Sequence, residues 1–155
     1  RDLHSFPTRR SSDLTNVYDT MWEGTAKLAR AIAAELHKQN PETVVKVFSL
    51  AKTDKNELMT EVFKSRAIAV GSPTVSNSYL SSMAGWLEFL KQLKFKNKKA
   101  AAFGCYGWSG ESVKLLQEKL REAGFTVIEE HVRSQWNPEE ADFAAVPALA
   151  KALLT

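Results

Sequence analysis

The apolar positions of this chain follow two different periods in turn, and they predict alternating strands and helices. Short runs that are wholly apolar or β-branched are typical of buried strands. We expect these strands at Thr15–Tyr18, Val44–Leu50, Ala67–Gly71, Ala100–Phe103 and Phe125–Glu129. Longer segments with apolar residues three and four positions apart predict amphipathic helices. We expect these helices at Ala26–Gln39, Lys55–Lys64, Ser81 or Ser82 to Leu93, Ser112–Ala123 and Glu139–Leu154.

Residues that begin or end helices stand at several of these junctions. Asp54 can accept hydrogen bonds from the free N–H groups of the second helix and so serve as its N-cap. Gly124 follows the fourth helix, where a left-handed residue commonly ends a helix. Asn137 and Pro138 suit the N-cap and the first position of the last helix. These residues support the boundaries that the periodicity predicts.

Five strands and five helices in strict alternation predict one α/β domain over residues 15–155. Parallel strands need crossover connections, which place helices on both faces of the sheet and give three α/β/α layers. Right-handed crossovers leave few topologies, and we expect a five-stranded parallel sheet in the order 2-1-3-4-5. The chain has 155 residues and is 44% apolar and 25% charged, which is ordinary for a globular domain.

Residues 1–14 show neither period and stand apart from the predicted domain. Pro7 lies among serine and arginine residues, which is typical of a disordered tail. The stretch also resembles translated adapter sequence at the ends of sequenced DNA fragments, and a natural basic arm is the alternative. We therefore interpret 1–14 as a non-native or disordered leader, and we expect the first strand to be clipped.

Composition and charge exclude several classes of function. A net charge of +3 is too small to indicate a nucleic-acid-binding surface. The apolar runs are shorter than a membrane span and no signal peptide is recognisable, so we expect a cytoplasmic protein without membrane contact. The single cysteine, Cys105, cannot form an internal disulfide, and the three histidines lie far apart in the sequence. We therefore expect no metal site in this chain.

The residues that could bind a ligand are concentrated in the loops after strands 1, 3 and 4. Open parallel sheets bind ligands beyond the carboxyl ends of the strands, where the strand order reverses. The first of these loops consists of Thr20, Met21, Trp22, Glu23, Gly24 and Thr25. It runs directly into a helix, whose free N–H groups and dipole favour a phosphate, and it has no lysine, unlike a Walker P-loop. The loop suits a monophosphate that is bound and not transferred; helix capping by Thr25 is the alternative.

The other two loops offer contacts to a ring. The second loop consists of Pro73, Thr74, Val75, Ser76 and Asn77. Its hydroxyls and amide could hydrogen-bond the polar edge of a ring, or it could be an ordinary surface turn. The third loop consists of Gly104, Cys105, Tyr106, Gly107, Trp108, Ser109 and Gly110. Large aromatic side chains between glycines indicate a stacking surface, unless Trp108 folds back onto the core.

At these three loops the sequence resembles the C-terminal flavodoxin-like domain of flavodiiron proteins, the family of flavorubredoxins and rubredoxin:oxygen oxidoreductases. The matching stretches are Val-Tyr-Asp-Thr-Met-Trp at 17–22, Gly-Ser-Pro-Thr at 71–74 and Ala-Phe-Gly-Cys-Tyr-Gly-Trp-Ser-Gly at 102–110. The segments at 54–57 and 95–98 also fit the family. The resemblance covers residues 15–155, and it implies a flavodoxin-like sandwich.

The resemblance also implies an electron carrier that binds FMN and in which no side chain is catalytic. It places the FMN phosphate at 20–25, and the ribityl chain and isoalloxazine ring against 73–77 and 104–110. Electrons would come from rubredoxin or a flavin reductase. They would pass to a diiron centre in a metallo-β-lactamase-like domain, which this sequence does not contain. In the family, a head-to-tail homodimer brings flavin and iron together, and the substrate is nitric oxide or dioxygen.

The first and third loops depart from the general flavodoxin pattern. Trp22 and Glu23 stand where a hydroxyl residue and a glycine are usual, and the Glu23 carboxylate would repel a phosphate unless it faced solvent. Cys105 replaces a common serine. Its thiol could tune the flavin or oxidise, or it could be a small buried filler.

Other functions stay open on the sequence alone. A free-standing flavodoxin or a flavin-dependent quinone reductase is the main alternative. A signalling receiver shares the strand order, but Asp19 supplies only part of its carboxylate cluster, and Ser72 and Pro73 stand in place of its aspartate. A basic run could dock an acidic carrier such as rubredoxin, or it could be a solvated face. The run consists of Lys91, Lys94, Lys96, Lys98 and Lys99.

Overall fold

The computed structural model describes residues 13–155, in which a parallel sheet lies between two layers of helices. The strands are β1 Leu14–Tyr18, β2 Val45–Ser49, β3 Ala67–Gly71, β4 Lys99–Tyr106, β5 Thr126–Val127 and β6 Val132–Gln135. The helices are α1 Gly24–Gln39, α2 Lys55–Lys64, α3 Ser81–Leu93, α4 Glu111–Glu122 and α5 Val146–Leu154. Short 3-10 helices occupy Leu50–Lys52 and Glu140–Ala145. The leader predicted at 1–14 lies outside the described residues except for Asp13 and Leu14, which are both buried.

The strand order is β2-β1-β3-β4-β5, and every pairing is parallel, as the alternation of elements predicts. The central strand β3 is buried along its whole length because its five residues carry only small or apolar side chains. The edge strand β2 is half-buried and reads Val-Lys-Val-Phe-Ser. Burial of β3 on both faces explains why the sheet needs a layer of helices on each side.

Each face of the sheet has its own apolar core. On one face α1 and α5 pack together, through residues such as Ile32 and Leu149. On the other face α2, α3 and α4 supply residues such as Leu58, Trp86 and Leu116. The apolar positions of each helix recur at three- and four-residue spacing, so that one stripe of each helix faces the sheet. The predicted α/β/α sandwich is therefore confirmed.

Two of the predicted helix boundaries depend on residues that behave as expected. The Asp54 carboxylate accepts hydrogen bonds from the N–H groups of Asn56, at 2.8 Å, and Glu57, at 3.3 Å, at the start of α2. After α4, Gly124 adopts φ 101°, and the N–H of Phe125 donates to the carbonyl of Leu120 at 3.1 Å. A side chain at Gly124 would overlap the backbone carbonyl of Phe95, so glycine is required both for space and for the left-handed backbone.

The fifth strand differs from its predicted position. The prediction of Phe125–Glu129 is right only at its start, because the sheet keeps two residues there as β5 and resumes as β6. The exposed residues Glu129, Glu130 and His131 leave the sheet between the two segments. β6 then pairs with the carboxyl half of β4, and burial alternates along it, with Val132 and Ser134 inward. This second segment carries the chain to the rim where the three predicted loops lie.

The last helix also differs from the prediction. Glu140–Ala145 forms a 3-10 helix, and the α-helix begins only at Val146. Pro147 has no N–H to donate to the preceding turn, so a regular α-helix cannot run through it from Glu139. The predicted cap is also displaced, because the backbone N–H of Glu139 donates to the Asp142 carboxylate at 2.8 Å. Asn137 and Pro138 are therefore free to form a turn at the rim of the sheet.

Candidate functional site

A cleft of about 760 Å³ opens at the carboxyl ends of β1, β3, β4 and β6. This volume is within the range of small-molecule and cofactor sites. All but three of the residues predicted for the site line this cleft. They are Thr20, Met21, Trp22, Gly24, Thr25, Pro73, Thr74, Val75, Ser76, Asn77, Cys105, Tyr106, Gly107, Trp108 and Ser109. The structure therefore brings all three predicted loops together around one space.

The three predicted residues that do not line the cleft are Glu23, Gly104 and Gly110. Glu23 is exposed and precedes α1 with φ 65°. Gly104 lies inside β4, which extends to Tyr106, and a side chain there would overlap the carbonyl oxygen of Ser72. Gly110 precedes α4, where a Cβ atom would lie 3.2 Å from the Tyr106 ring. Both glycines permit close packing behind the cleft.

The first loop presents polar groups that have no partner within the described chain. The hydroxyl oxygens of Thr20 and Thr25 are both buried and have no nitrogen or oxygen partner; the Thr25 hydroxyl has only the Cys105 thiol, a weak hydrogen-bonding group, beside it. The residue before α1, Glu23, makes no capping hydrogen bond with its side chain, and Thr25 makes none either. The N–H groups of the first helical turn are therefore free for a ligand. Capping by Thr25, the alternative to a phosphate site, is not present.

Asp19 fixes the first loop to the start of α3. Its Oδ1 atom accepts a hydrogen bond from the N–H of Thr20 at 3.0 Å, and its Oδ2 atom accepts one from the Ser82 hydroxyl. The backbone N–H of Asp19 donates to the Gly71 carbonyl at 3.0 Å, which continues the pairing of β1 with β3. The loop that carries Thr20 and Thr25 is thus held at both ends by regular elements.

The second loop is joined to the third by several hydrogen bonds. The N–H of Thr74 donates to the carbonyl of Cys105 at 2.8 Å. The Thr74 hydroxyl accepts a hydrogen bond from the N–H of Ser112 at 3.1 Å and so caps the start of α4, where Gly110 has no side chain to do so. The Ser109 hydroxyl donates to the Asn77 side-chain oxygen at 3.3 Å. Because of these contacts the two loops form one wall of the cleft.

The tip of the second loop has an unusual backbone. Val75 and Ser78 exchange backbone hydrogen bonds of 2.7 and 3.0 Å around a two-residue turn. Its central residues, Ser76 and Asn77, have φ values of 50° and 64°. Left-handed conformations are rare outside glycine and asparagine, and they concentrate at functional sites. The turn directs its polar groups toward the cleft, which both residues line.

The aromatic side chains of the rim are exposed. Trp108 is 90% exposed and Trp22 is 86% exposed, so Trp108 does not fold back onto the core. Such a large apolar surface in water is unfavourable unless a ligand or a partner covers it. Tyr106 is half-buried and lies beneath the guanidinium of Arg133, whose central carbon is 5.7 Å from the ring centroid.

Two residues that line the cleft, Trp136 and Asn137, were not predicted as part of the site. Trp136 has φ 58°, donates its N–H to the Tyr106 carbonyl at 2.7 Å and packs edge-on to Trp108 at 5.2 Å. The Asn137 side-chain oxygen accepts a hydrogen bond from Lys27 at 2.9 Å. Their turn thus contacts both the third loop and helix α1. The sequence feature that could have revealed these two residues is the alternation of apolar and polar side chains from Val132 to Gln135, which indicates a strand that ends at this rim.

Cys105 is buried at the base of the cleft against α1. Its sulfur would lie 2.9 Å from a Cβ atom at Gly24, so the glycine permits this contact. Burial raises the pKa of the Cys105 thiol, the charge of Asp142 raises it further, and the nearby Thr25 hydroxyl acts in the opposite direction. A raised pKa keeps the thiol protonated at neutral pH and therefore slow as a nucleophile. These contacts favour the interpretation of Cys105 as a small packing residue.

No acidic or basic side chain lines the cleft. Residues 13–155 hold no group of three or more histidine, cysteine, aspartate or glutamate residues that could bind a metal. The helices of this same part of the chain are too short or too polar to cross a bilayer. The cleft therefore offers hydroxyls, amides and aromatic faces as its binding groups.

Known proteins have sequences similar to that of this chain. Residues 17–146 match the flavodoxin family. A protein of Aeromonas hydrophila named anaerobic nitric oxide reductase flavorubredoxin is 41% identical over 131 residues, which are 84% of this chain and 26% of that protein. This chain thus spans about a quarter of the length of the curated relatives that it matches.

Two solved structures are also similar over nearly the whole chain. The rubredoxin oxygen:oxidoreductase of Desulfovibrio gigas has a TM-score of 0.87 and 32% identity, over 96% of this chain and 37% of that one. A flavodoxin from the domain Archaea has a TM-score of 0.79 and 31% identity, over 92% of this chain and 96% of that one. This chain is therefore a member of the flavodoxin family, and its relatives group it with the flavodoxin-like domains of flavodiiron proteins.

Proposed function

We propose that this chain is the FMN-binding electron-transfer domain of a flavodiiron protein. The observation that carries this proposal is the pair of buried hydroxyls of Thr20 and Thr25, which have no nitrogen or oxygen partner, at an uncapped helix start beside a rim of exposed tryptophans. A buried hydroxyl without a partner is costly, and a ligand with oxygen acceptors removes that cost. A monophosphate joined to a flat ring satisfies both features of this cleft.

The residues of the first loop would hold the FMN phosphate. The Thr20 and Thr25 hydroxyls and the N–H groups of the first turn of α1 are donors, and the helix dipole adds favourable potential for an anion. The exposed Glu23 carboxylate does not line the cleft, so it can turn to solvent away from the phosphate. Gly24 allows the loop to approach the ligand and Cys105 closely.

The second and third loops would hold the isoalloxazine ring. Trp108 and Trp22 offer exposed faces for stacking, and Tyr106 offers a face backed by Arg133. The turn at Ser76 and Asn77 offers amide and hydroxyl groups to the polar edge of the ring. FMN, when bound, supplies the electron-accepting and electron-donating chemistry. The protein groups orient the ring, exclude water from its faces and need not change protonation.

The proposed partners follow from the names and lengths of the relatives. One relative is named a nitric oxide reductase and the other a rubredoxin oxygen:oxidoreductase, and both are much longer than this chain. We infer that a metallo-β-lactamase-like diiron domain of the same protein accepts the electrons and that rubredoxin or a flavin reductase supplies them. A head-to-tail homodimer of the full-length protein would bring the exposed rim of one subunit to the iron of the other.

The alternative is a free-standing flavodoxin or a flavin-dependent quinone reductase. One observation favours it: the archaeal flavodoxin matches this chain over 96% of its own length. Both functions use the same FMN site, so the site alone does not separate them. They differ in the electron acceptor.

Titration of the purified protein with FMN tests the shared part of the proposal. We expect one FMN per chain, visible as quenched flavin fluorescence and a yellow protein after gel filtration. A protein that stays colourless with excess FMN would contradict the proposal. Replacement of Asp19 with asparagine keeps the size of the side chain at the base of the loop but removes the charge that accepts hydrogen bonds from Thr20 and Ser82. We expect this variant to bind FMN more weakly than the unaltered protein.

A second experiment separates the two functions. The FMN-loaded protein, reduced anaerobically with dithionite, is mixed with the purified diiron domain encoded beside it or with a quinone. Rapid reoxidation of the flavin by the diiron domain is the expected result. Reoxidation only by the quinone, or a coding sequence without a metallo-β-lactamase-like frame next to this one, would favour the alternative.

A further inference from the structure

Arg133 is a basic residue that contacts Tyr106, an aromatic residue of the cleft wall, without lining the cleft itself. Its guanidinium carbon lies 5.7 Å from the centroid of the Tyr106 ring, at a distance typical of a cation–π contact. Tyr106 itself lines the cleft, whereas no charged side chain does. The guanidinium therefore lies one ring away from a cleft whose lining side chains are uncharged.

Regular structure holds Arg133 in this position. Its strand, β6, pairs with β4 in a register that sets Arg133 opposite Gly104. The side chains of Val132 and Ser134 face inward, so that of Arg133 faces outward. Gly110 leaves room for the guanidinium, because a Cβ atom there would lie 3.1 Å from the Arg133 Nη1 atom. Removal of this charge therefore need not disturb the core.

No carboxylate neutralises Arg133 within the described part of the chain. The ion pairs there join Lys46 with Glu61, and both Lys91 and Lys119 with Glu122. An arginine that is paired with an aromatic face keeps its full charge, whereas one in a salt bridge would present a near-neutral pair to the cleft. The field of Arg133 thus extends through Tyr106 into the cleft.

We propose that Arg133 is a positioning residue that raises the reduction potential of the bound flavin through the face of Tyr106. This inference rests on the proposed function. A reduced flavin ring carries more negative charge than an oxidised ring, so a nearby cation binds the reduced form more tightly. Arg133 is exposed, and solvent screens part of its field. We therefore expect its charge to favour reduced over oxidised FMN by about two- to fivefold.

Lys27 is a second basic residue near the cleft, and it lies on the opposite side from Arg133. It lies in the first turns of α1 and donates to Asn137 at 2.9 Å, on the side of the cleft where the phosphate is proposed. The charge of a phosphate does not change when the ring is reduced. A cation on that side should therefore strengthen the binding of both redox forms alike and leave the potential unchanged. The two basic residues are expected to differ in effect because they lie on different sides of the cleft.

The test compares Arg133→Gln with Arg133→Lys and with Arg121→Gln, a control at the exposed far end of α4. For each protein, the affinity for oxidised FMN is measured by fluorescence quenching and the potential by anaerobic titration with a reference dye. We expect Arg133→Gln to lower the ratio of reduced to oxidised affinity about two- to fivefold, with a smaller change at high salt. Arg133→Lys should restore most of the ratio, and Arg121→Gln should leave it unchanged.

Other results would overturn the inference. If Arg133→Gln weakened the binding of both redox forms equally, Arg133 would only support the Tyr106 ring. An equal shift of the ratio in Arg121→Gln would show a general effect of net charge. Failure of the unaltered protein to bind FMN would remove the proposed function and this inference together, whereas an unchanged ratio in an Arg133→Gln protein that binds FMN would remove the inference alone.

Discussion

The two rims of the sheet differ in what surrounds their polar side chains: lysines at the amino rim donate to backbone carbonyls, whereas the hydroxyls of the first loop at the carboxyl rim lie in a cleft. At the amino rim, Lys98 donates to the carbonyls of Phe63, at 3.0 Å, and Ser65 near the end of α2, and Lys99 donates to the carbonyl of Ala152 at 3.1 Å in α5. At the carboxyl rim, the hydroxyls of the first loop have no nitrogen or oxygen partner, and three tryptophans, Trp22, Trp108 and Trp136, are exposed. The type of a residue therefore does not show whether a basic side chain or a hydroxyl is available to bind a ligand; its partners within the protein do.

The basic run at the amino rim is therefore mostly structural. Lys98 is half-buried, and burial lowers the pKa of its amine. Lys91 is 3.5 Å from Glu122, which leaves Lys94 and Lys96 as the exposed and unpaired members of the run in the described chain. This rim lies across the sheet from the cleft. The interpretation of the run as a solvated face, with some members turned inward, is favoured over a docking surface for an electron carrier.

The largest expected effect is a loss of stability at the amino rim that leaves FMN binding unchanged. Gly124→Ala at the amino rim should lower the free energy of unfolding by about 1–3 kcal/mol, because the new methyl group overlaps the Phe95 carbonyl and φ is 101°. Urea unfolding measures this loss. FMN affinity of the folded variant should stay unchanged.

Gly104→Ala makes the same change behind the cleft, against the carbonyl of Ser72. We expect a similar loss of stability together with weaker FMN binding, since Ser72 immediately precedes the second loop. Equal effects of the two alanines on FMN affinity would remove the distinction between the rims.

The next effect concerns the unpaired hydroxyls. Thr25→Val should weaken FMN binding about 10- to 100-fold, because a hydrogen bond to a charged group contributes about 1.5–3 kcal/mol. Its unfolding free energy should change little, since the lost hydroxyl has no nitrogen or oxygen partner and only the weakly hydrogen-bonding Cys105 thiol beside it. Isothermal calorimetry and urea unfolding measure the two quantities.

Thr43→Val is the matched control, because the Thr43 hydroxyl is also buried and unpaired but lies at the amino rim and lines no part of the cleft. We expect its FMN affinity to equal that of the unaltered protein. A similar loss of affinity in both variants would mean that the effect is indirect.

A smaller effect is expected at the aromatic rim. Trp108→Ala should weaken FMN binding about tenfold, because stacking on an aromatic side chain contributes about 1–3 kcal/mol. Its stability should change by less than about 0.5 kcal/mol, since the side chain is 90% exposed. Val44→Ala removes an exposed apolar residue far from the cleft and should change neither FMN affinity nor the flavin potential. Unchanged FMN binding in Trp108→Ala would remove Trp108 from the proposed site.

The smallest effect is expected for the basic run. Lys96→Gln should change FMN affinity and the rate of reduction by an electron-donating protein by less than about twofold, because the exposed Lys96 is screened and lies at the opposite rim. Stopped-flow reduction at low ionic strength is the sensitive measurement. A several-fold slower reduction would show that the donor docks at the amino rim.

The sequence predicted much of the fold because its strongest patterns are local. The apolar run of β3 and the residues at Asp54 and Gly124 determine nearby structure, and the alternation of elements limits the topology. The cleft followed from the rule that parallel sheets bind ligands at their carboxyl ends. Three loops that are far apart in the sequence could therefore be assigned to one site.

The residues that the sequence did not place correctly depend on where strands end. β4 continues through Gly104, which is therefore part of the sheet. β6 follows three exposed polar residues, so its short alternation was hidden and the contribution of Trp136 was missed. The left-handed backbone of Glu23 and of Ser76 has no signature in the residue type. Strand length and backbone handedness are set by packing, which a pattern of apolar residues does not contain.

The central claim is that the unpaired donors at the start of α1 bind a phosphate. Comparison of FMN with riboflavin, which lacks only the phosphate, tests it most directly. We expect the purified protein to bind FMN about 100-fold or more tightly than riboflavin, since several charge-assisted hydrogen bonds depend on that group. Equal affinities for the two flavins would contradict the claim.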